Sequence, residues 1–354
     1  MRIALDTSGI YTTQAGTSRY IRGLIKGFSR IKTPDLEFIE LAWPVENFSF
    51  RQPQRALRTF YREFIWAKLI GPRLISRRNA DLFHSTANVL VIPPPKVKHV
   101  ATLHDLAVLR NPERFRPWHR WSARKYLQRL HKADRVICIS QFTANEAVSL
   151  LNLSRTKIDI VYNGCEFRAD EGAPAEHPPE CKVPDEFFLF VGSLEPGKNL
   201  SLLSQAYQLA ESSGIVLPPL VLVGTRWVGL KQEGAPPRNW YYLGRQSDSV
   251  LIYLYRRAKA LLFPSRYEGF GLPVVEAMVT GCPVICSPVS SLPEVGGNGA
   301  YFVDLNVTAY LNAMQRLDQD DKLREELIHR GVEQAEKFSW KRCAEETLNV
   351  YRRA

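Results

Sequence analysis

The stretch FPSRYEGFGLPVVEAMVTGCPVICS, residues 263–287, reads as the end of an apolar strand, a glycine-framed turn, a helix and a second strand. Ala260 to Phe263 form the strand, Gly269 and Gly271 frame the turn, Pro273 suits the first helical position, and PVICS (283–287) resumes a strand. Strand, helix and strand in direct succession imply parallel pairing and a sheet covered on both faces.

The same alternation extends both ways. Before it come FFLFVGS (187–193), a helix from Asn199 to about Ser212, PLVLVG (219–224), WYYLG (240–244) and a helix over Ser249 to Arg257; AYFVD (300–304) follows. A second series occupies the first half. Its strands are read at Arg2 to Asp6, Phe38 to Trp43, Asp81 to Ser85, His99 to Leu103, Arg135 to Ile139 and Ile158 to Tyr162. Helices are read at Ser18 to Ile31, Trp118 to Lys132 and Gln141 to Leu151. Residues 163–186 lose all periodicity and are rich in Pro and acid, which marks a linker. The expected fold is α/β, with two facing Rossmann-like domains and a cleft at the carboxyl edges of their sheets, where ligands bind in this architecture. The expected boundaries are 1–165, a linker at 166–186, a second domain at 187–337, and a C-terminal helix at 338–354. Trp340, Ala344, Leu348 and Tyr351 share one side of that helix, which either crosses back to the first domain or ends the second.

At 354 residues, 45% hydrophobic and 23% charged, the composition is that of a globular protein of two domains. No apolar run approaches the roughly 20 residues of a membrane-spanning helix, and MRIALDTSGI has no cleavable signal pattern, so a cytoplasmic location is expected. The six cysteines include no C-x-x-C pair, which indicates neither a zinc site nor a disulfide framework. Charge is uneven. Residues 1–170 carry 28 Lys and Arg against 14 Asp and Glu, which leaves 19 against 22 for the remainder. The net +11 therefore belongs to the first half, which should face something anionic.

A tight glycine turn at a helix N-terminus makes an anion site, because unpaired backbone N–H groups and the helix dipole converge there. Glu268 precedes the turn and Glu276 lies about one turn into the helix. Around a bound phosphate, one carboxylate would reach a sugar hydroxyl and the other a ribose hydroxyl. The alternatives are a solvated loop acid and an acid favoured by the helix dipole. GSLEPGKN (192–199) is a second strand-to-helix turn, where Lys198 would supply a point charge to phosphate or simply lie at the surface. In the first half, TLHDL (102–106) places His104 at a strand end, as a hydrogen-bonding group for a substrate hydroxyl or as a structural histidine. TTQAGTSRY (12–20), with Gly16 and Thr17, is a weak phosphate or substrate loop without a full G-x-G-x-x-G fingerprint.

Taken together, TLHDL at 102, VICISQFTANEA at 136, IVYNG at 160, FVGSLEPGKNL at 190, PSRYEGFGLPVVEAM at 264, SSLPEVGG at 290 and FSWKRCAEETLNVYRR at 338 resemble glycosyltransferase family 4. These are retaining, nucleotide-sugar-dependent transferases of the glycosyltransferase-B fold. The resemblance implies that the second domain holds the donor and the first the acceptor. Glu268 would contact the donor sugar, with Phe270, Gly271 and Leu272 offering backbone N–H groups to the diphosphate. Glu276 would hold the ribose, Lys198 would neutralise the leaving diphosphate, and His104 would reach the sugar. Neither cofactor nor metal is implied. Many relatives carry an arginine just before this lysine, where the chain has Ser193, Glu195 and Gly197; Arg226 and Arg266 are the candidates to replace it. SLEPGKNL is similar to the loop of bacterial mannosyl- and rhamnosyltransferases of surface polysaccharide assembly, which favours GDP-mannose or a related deoxy-sugar donor. A nucleotide-sugar 2-epimerase of the same fold and a catalytically silent nucleotide-sugar or glycan-binding protein are the alternatives.

Residues 51–78 hold eight basic residues against one acid, interleaved with Phe60, Tyr61, Phe64 and Trp66, and residues 110–135 hold nine against two. This mixture suits a helix lying in an anionic membrane interface, or a solvated face over a core stripe. The interfacial reading fits a polyprenyl-diphosphate-linked acceptor and a peripheral position on the inner face of the plasma membrane. No nucleic-acid recognition motif is present.

Overall fold

The computed structural model describes residues 1–12, 16–31, 34–43, 54–165, 167, 183–225 and 239–354. It divides into two units, Met1–Gly164 with Ser339–Ala354, and Cys165–Phe338. Most of the expected linker, residues 166 and 168–182, lies outside the described residues, as does Arg226.

The first unit is built on a six-stranded sheet of β1 (Arg2–Asp6), β2 (Glu37–Leu41), β3 (Leu82–Ser85), β4 (Lys98–Leu103), β5 (Arg135–Cys138) and β6 (Ile158–Ile160). Its order is β2-β1-β3-β4-β5-β6 and every pair is parallel. The second unit repeats the plan with β7 (Phe188–Val191), β8 (Leu220–Val223), β9 (Trp240–Gly244), β10 (Leu261–Phe263), β11 (Val284–Cys286) and β12 (Tyr301–Phe302). Here the order is β12-β11-β10-β7-β8-β9, again all parallel. The central strands β7, β8 and β10 are buried along their whole length, which is why they read as unbroken apolar runs.

The C-terminal helix Trp340–Arg353 belongs to the first unit, where Trp340, Ala344, Leu348 and Tyr351 join Ile3, Tyr20, Leu24 and Phe28 in one core. Its approach is close enough to demand glycine. A Cβ on Gly23 would fall 2.0 Å from the Trp340 ring, and one on Gly164 2.2 Å from the Trp340 backbone nitrogen. A buried polar chain fastens the same helix to the sheet. Tyr20 Oη and Thr102 Oγ1 are 2.9 Å apart, His84 Nε2 lies 2.8 Å from Thr102 Oγ1, and His84 Nδ1 lies 2.6 Å from Tyr351 Oη.

Burial lowers the pKa of His84 from 6.5 to about 3, helped by His99 and His104. Burial also lowers that of His99 to about 4, against the pull of Asp134. The unfolded chain takes up these protons below about pH 6.5 and the folded chain does not until about pH 4 and 3, so stability is complete above 6.5 and falls with pH through that window. At pH 5 the two histidines should together cost about 4 kcal/mol relative to pH 7.5. Thermal melts at the two pH values check this, and His99→Gln should roughly halve the difference, since His84 remains; an unchanged Tm contradicts it.

The basic segment after residue 53 is helical throughout: Gln54–Phe60, a ten-residue π-helical stretch Tyr61–Ile70, and Gly71–Arg77. Inside it Glu63 is buried, bonded to Tyr126 and ion-paired with Arg62 at 2.9 Å and Lys125 at 3.1 Å. These contacts tie the segment to helix Pro117–Arg129 and hold the Glu63 carboxyl below its ordinary pKa despite burial. Two helices absent from the sequence reading, Val307–Gln319 and Asp321–Ala335, complete the second unit.

Candidate functional site

In the second sheet β7 and β10 are neighbours, yet the chain runs from β7 out to β8 and β9 on one side before returning to β10 on the other. Such a reversal of strand order parts the loops at the carboxyl ends and opens a crevice lined by backbone groups. The loops that meet there are the two singled out in the sequence.

After β7 the chain makes one 3-10 turn, Pro196–Lys198. Glu195 caps it, accepting from Gly197 N at 3.1 Å. Asn199 ends it in the left-handed region (φ 57°) and leads into helix Leu200–Ser212. The loop after β10 is stitched to this turn: Arg266 N donates to Gly197 O at 2.9 Å, and Arg266 Nη2 donates to Asn199 Oδ1 at 2.8 Å. The guanidinium of Arg266 thus braces one loop against the other.

Lys198 Nζ makes an ion pair with Glu268, the side chains being only 16% and 11% exposed, and sits 5.2 Å from the Phe263 ring centroid. Gly271, at φ 98°, turns the chain into helix Leu272–Val279, so the helix begins one residue before Pro273. The first-turn N–H groups have no intrahelical acceptor and carry the positive end of the dipole. The Phe270 ring is buried edge-on against Phe338 at 5.5 Å. Glu276, the fifth residue of the helix, is buried, and its Oε2 accepts from Tyr255 Oη at 3.0 Å. Ser193 is half-buried, with its carbonyl accepting from Glu195 N at 3.0 Å. A cation beside a helix N-terminus binds an anion, and the two carboxylates on either side of the glycine turn accept hydroxyls.

His104, Gly16 and Thr17 belong to the other unit. His104 follows β4, its Nε2 lies 2.9 Å from the Thr86 carbonyl, and its ring meets Tyr20 edge-on at 4.9 Å. Burial lowers its pKa, against the pull of Thr86 and Asp105. The imidazole is therefore neutral near pH 7, and since a carbonyl can only accept, Nε2 carries the proton and Nδ1 the lone pair. Such a nitrogen can accept from a substrate hydroxyl. Gly16 and Thr17 open helix Gly16–Ser29.

The sequence reading missed Tyr255, Asn199, Ser290 and Ser291. Asn199 left a signal, as an Asn immediately before a helical pattern, a residue type that tolerates the left-handed region, and Ser290 and Ser291 stood in SSLPEVGG with no role assigned to them.

Residues 176–334 match the family model of glycosyl transferases group 1, and residues 16–167 that of glycosyltransferase family 4. O-antigen chain mannosyltransferase B of Escherichia coli is 34% identical over 278 residues, spanning 74% of this chain and 72% of that protein. Serotype-specific mannosyltransferase WbdA of Escherichia coli is 31% identical over 291 residues, spanning 76% of this chain and 35% of that protein, so the match takes in about a third of WbdA. Among solved structures, sucrose-phosphate synthase from Thermosynechococcus elongatus superposes with a TM-score of 0.74 at 20% identity, over 100% of this chain and 98% of that one. Anabaena HepE in complex with UDP and glucose gives 0.70 at 15% identity, over 99% of each chain. At these identities the two structures speak for the fold alone, which is the glycosyltransferase-B fold.

Proposed function

Since the chain belongs to the glycosyl transferases group 1 family and is a hexosyltransferase of the O-antigen mannosyltransferase type, we propose that it moves mannose from GDP-mannose onto a lipid-linked glycan with retention of configuration. The observation that carries this reading is the Lys198–Glu268 pair at the strand-order reversal, beside the N-terminus of the helix that bears Glu276.

In this reading the diphosphate lies against Lys198 and the N–H groups of Phe270, Gly271 and Leu272, with Ser193 alongside. Charge developing on the leaving oxygen is met by donors already in place. Glu276, held by Tyr255, takes the ribose hydroxyls. Glu268 takes hydroxyls of the mannose, and in the first unit the lone pair on Nδ1 of His104 is offered to a substrate hydroxyl. The departing phosphate oxygen receives the acceptor's proton on the face it leaves. Arg266, committed to Asn199, supports the loop rather than the phosphate.

The acceptor's lipid is supported by an exposed surface of the first unit. Leu57, Phe60, Phe64, Trp118 and Trp121 are each about half exposed or more. Lys125 Nζ lies 6.0 Å from the Phe64 ring and 5.3 Å from that of Trp121, and Lys68 Nζ lies 4.9 Å from Phe64. Large apolar side chains beneath ammonium groups suit the headgroup boundary of an anionic bilayer, which fits a peripheral position on the inner membrane face.

The test is a thermal-shift and transfer panel with GDP-, UDP-, dTDP- and ADP-sugars, each with and without membrane lipid extract. GDP-mannose alone should raise Tm, and radiolabelled product should form only with the extract. Selective stabilisation by another nucleotide sugar overturns the donor assignment, and transfer that is indifferent to extract overturns the lipid-linked acceptor.

A further inference from the structure

We propose that Ser290 and Ser291, in the loop after β11, are positioning residues for Glu268. They grip its backbone from both sides. Glu268 N donates to Ser290 Oγ at 2.8 Å, and Ser291 Oγ donates to Glu268 O at 3.0 Å. Both polar groups of one residue's main chain are therefore held by side chains brought from more than twenty residues away.

The arrangement is not an ordinary consequence of a serine-rich loop. Ser290 adopts φ 51°, a left-handed conformation that a serine enters only under constraint, and it is one of four non-glycine residues with positive φ among those described. Ser291 is fully buried and lies next to the short helix Leu292–Gly296. Leu292 closes the other end of the turn, since a Cβ on Gly271 would fall 2.7 Å from its Cδ2. One loop thus touches the Glu268 backbone and Gly271 together. Lys198 holds the carboxylate from the β7 side, so side chain and backbone of Glu268 are fixed independently. A carboxylate that must meet a sugar hydroxyl in one geometry gains from such pre-organisation.

This inference rests on Glu268 contacting the donor sugar, and the test separates the two. Ser290→Gly removes the hydroxyl and at the same time relieves the left-handed backbone, so Tm should stay level or rise. In the transfer assay kcat should fall about 10- to 100-fold, the range for a reacting group displaced by a fraction of an ångström to an ångström. The Kd for GDP, which lacks the hexose that Glu268 would touch, should not change. In a Glu268→Gln background Ser290→Gly should add little, because it acts through a group already disabled. Turnover of Ser290→Gly within twofold of the parent, or a full multiplicative loss on top of Glu268→Gln, overturns the positioning role. Normal turnover of Glu268→Gln alone overturns the underlying role of Glu268 instead.

Discussion

Glu268→Gln should lower kcat on the order of 10³-fold, the loss seen when one group aimed at the transition state is removed. The substitution preserves volume and leaves the backbone bonds to Ser290 and Ser291 in place. What it removes is the charge that faces Lys198 and strengthens hydrogen bonds from sugar hydroxyls. Nucleotide binding should respond differently. Lys198 is paired with Glu268, so losing the carboxylate leaves the ammonium for phosphate alone, and the affinity for GDP should hold or rise. Titration calorimetry with GDP, beside a transfer assay and circular dichroism, reads all three quantities. Turnover within threefold of the parent would remove Glu268 from the site, and a matching loss of GDP affinity would make its role nucleotide binding.

The second large effect belongs to Lys198→Ala. Arg266 is committed to Asn199 and Arg226 lies outside the described residues, so among the described residues of the proposed site the phosphate charge is met by Lys198 and the helix dipole. Removing it also leaves Glu268, 11% exposed, without its counter-ion and facing the donor's negative charge. The Kd for GDP should rise about 100-fold, in line with about 3 kcal/mol for a lost charge-assisted contact plus the uncompensated carboxylate. GMP, which lacks the second phosphate, should lose much less. Lys198→Arg should recover part of the loss, as its fork cannot reproduce a point charge under the Phe263 ring. Equal affinities of Lys198→Ala and the parent for GDP would refute the phosphate role.

The alternation of apolar runs made two parallel sheets legible, because strands buried on both faces carry no polar residues to interrupt them. The glycine turn was equally plain: few residue types other than Gly take φ near 98° at the start of a helix, and the following Pro marks that start. Pairings over long separations were not legible. Lys198 and Glu268 are 70 residues apart, and what joins them is the adjacency of β7 and β10, a fact of strand order that periodicity does not carry. Tyr255 lies in the helix read over Ser249 to Arg257, and nothing in its spacing marks its hydroxyl as the partner of Glu276. The helices Val307–Gln319 and Asp321–Ala335 did leave signals, since Asn306 and Asp320 cap them by accepting from Ala309 N and Leu323 N. Val307–Gln319 carried a helical stripe as well, in Tyr310, Leu311, Met314 and Leu317. The π-helical run at Tyr61–Ile70 has no signature in residue spacing at all.

The Trp340 socket has a consequence for the order in which the polypeptide takes shape during synthesis. Gly23, Gly27 and Gly164 are translated long before the helix start that they receive, and the first unit's core stays open on that side until residues 339–354 leave the ribosome. The second unit, Cys165–Phe338, has all its elements synthesised before that last helix of the first unit. Released chains that end at Phe338 should therefore carry a protease-resistant second unit behind a first unit still awaiting its last helix, the reverse of the usual amino-to-carboxyl sequence of domain folding.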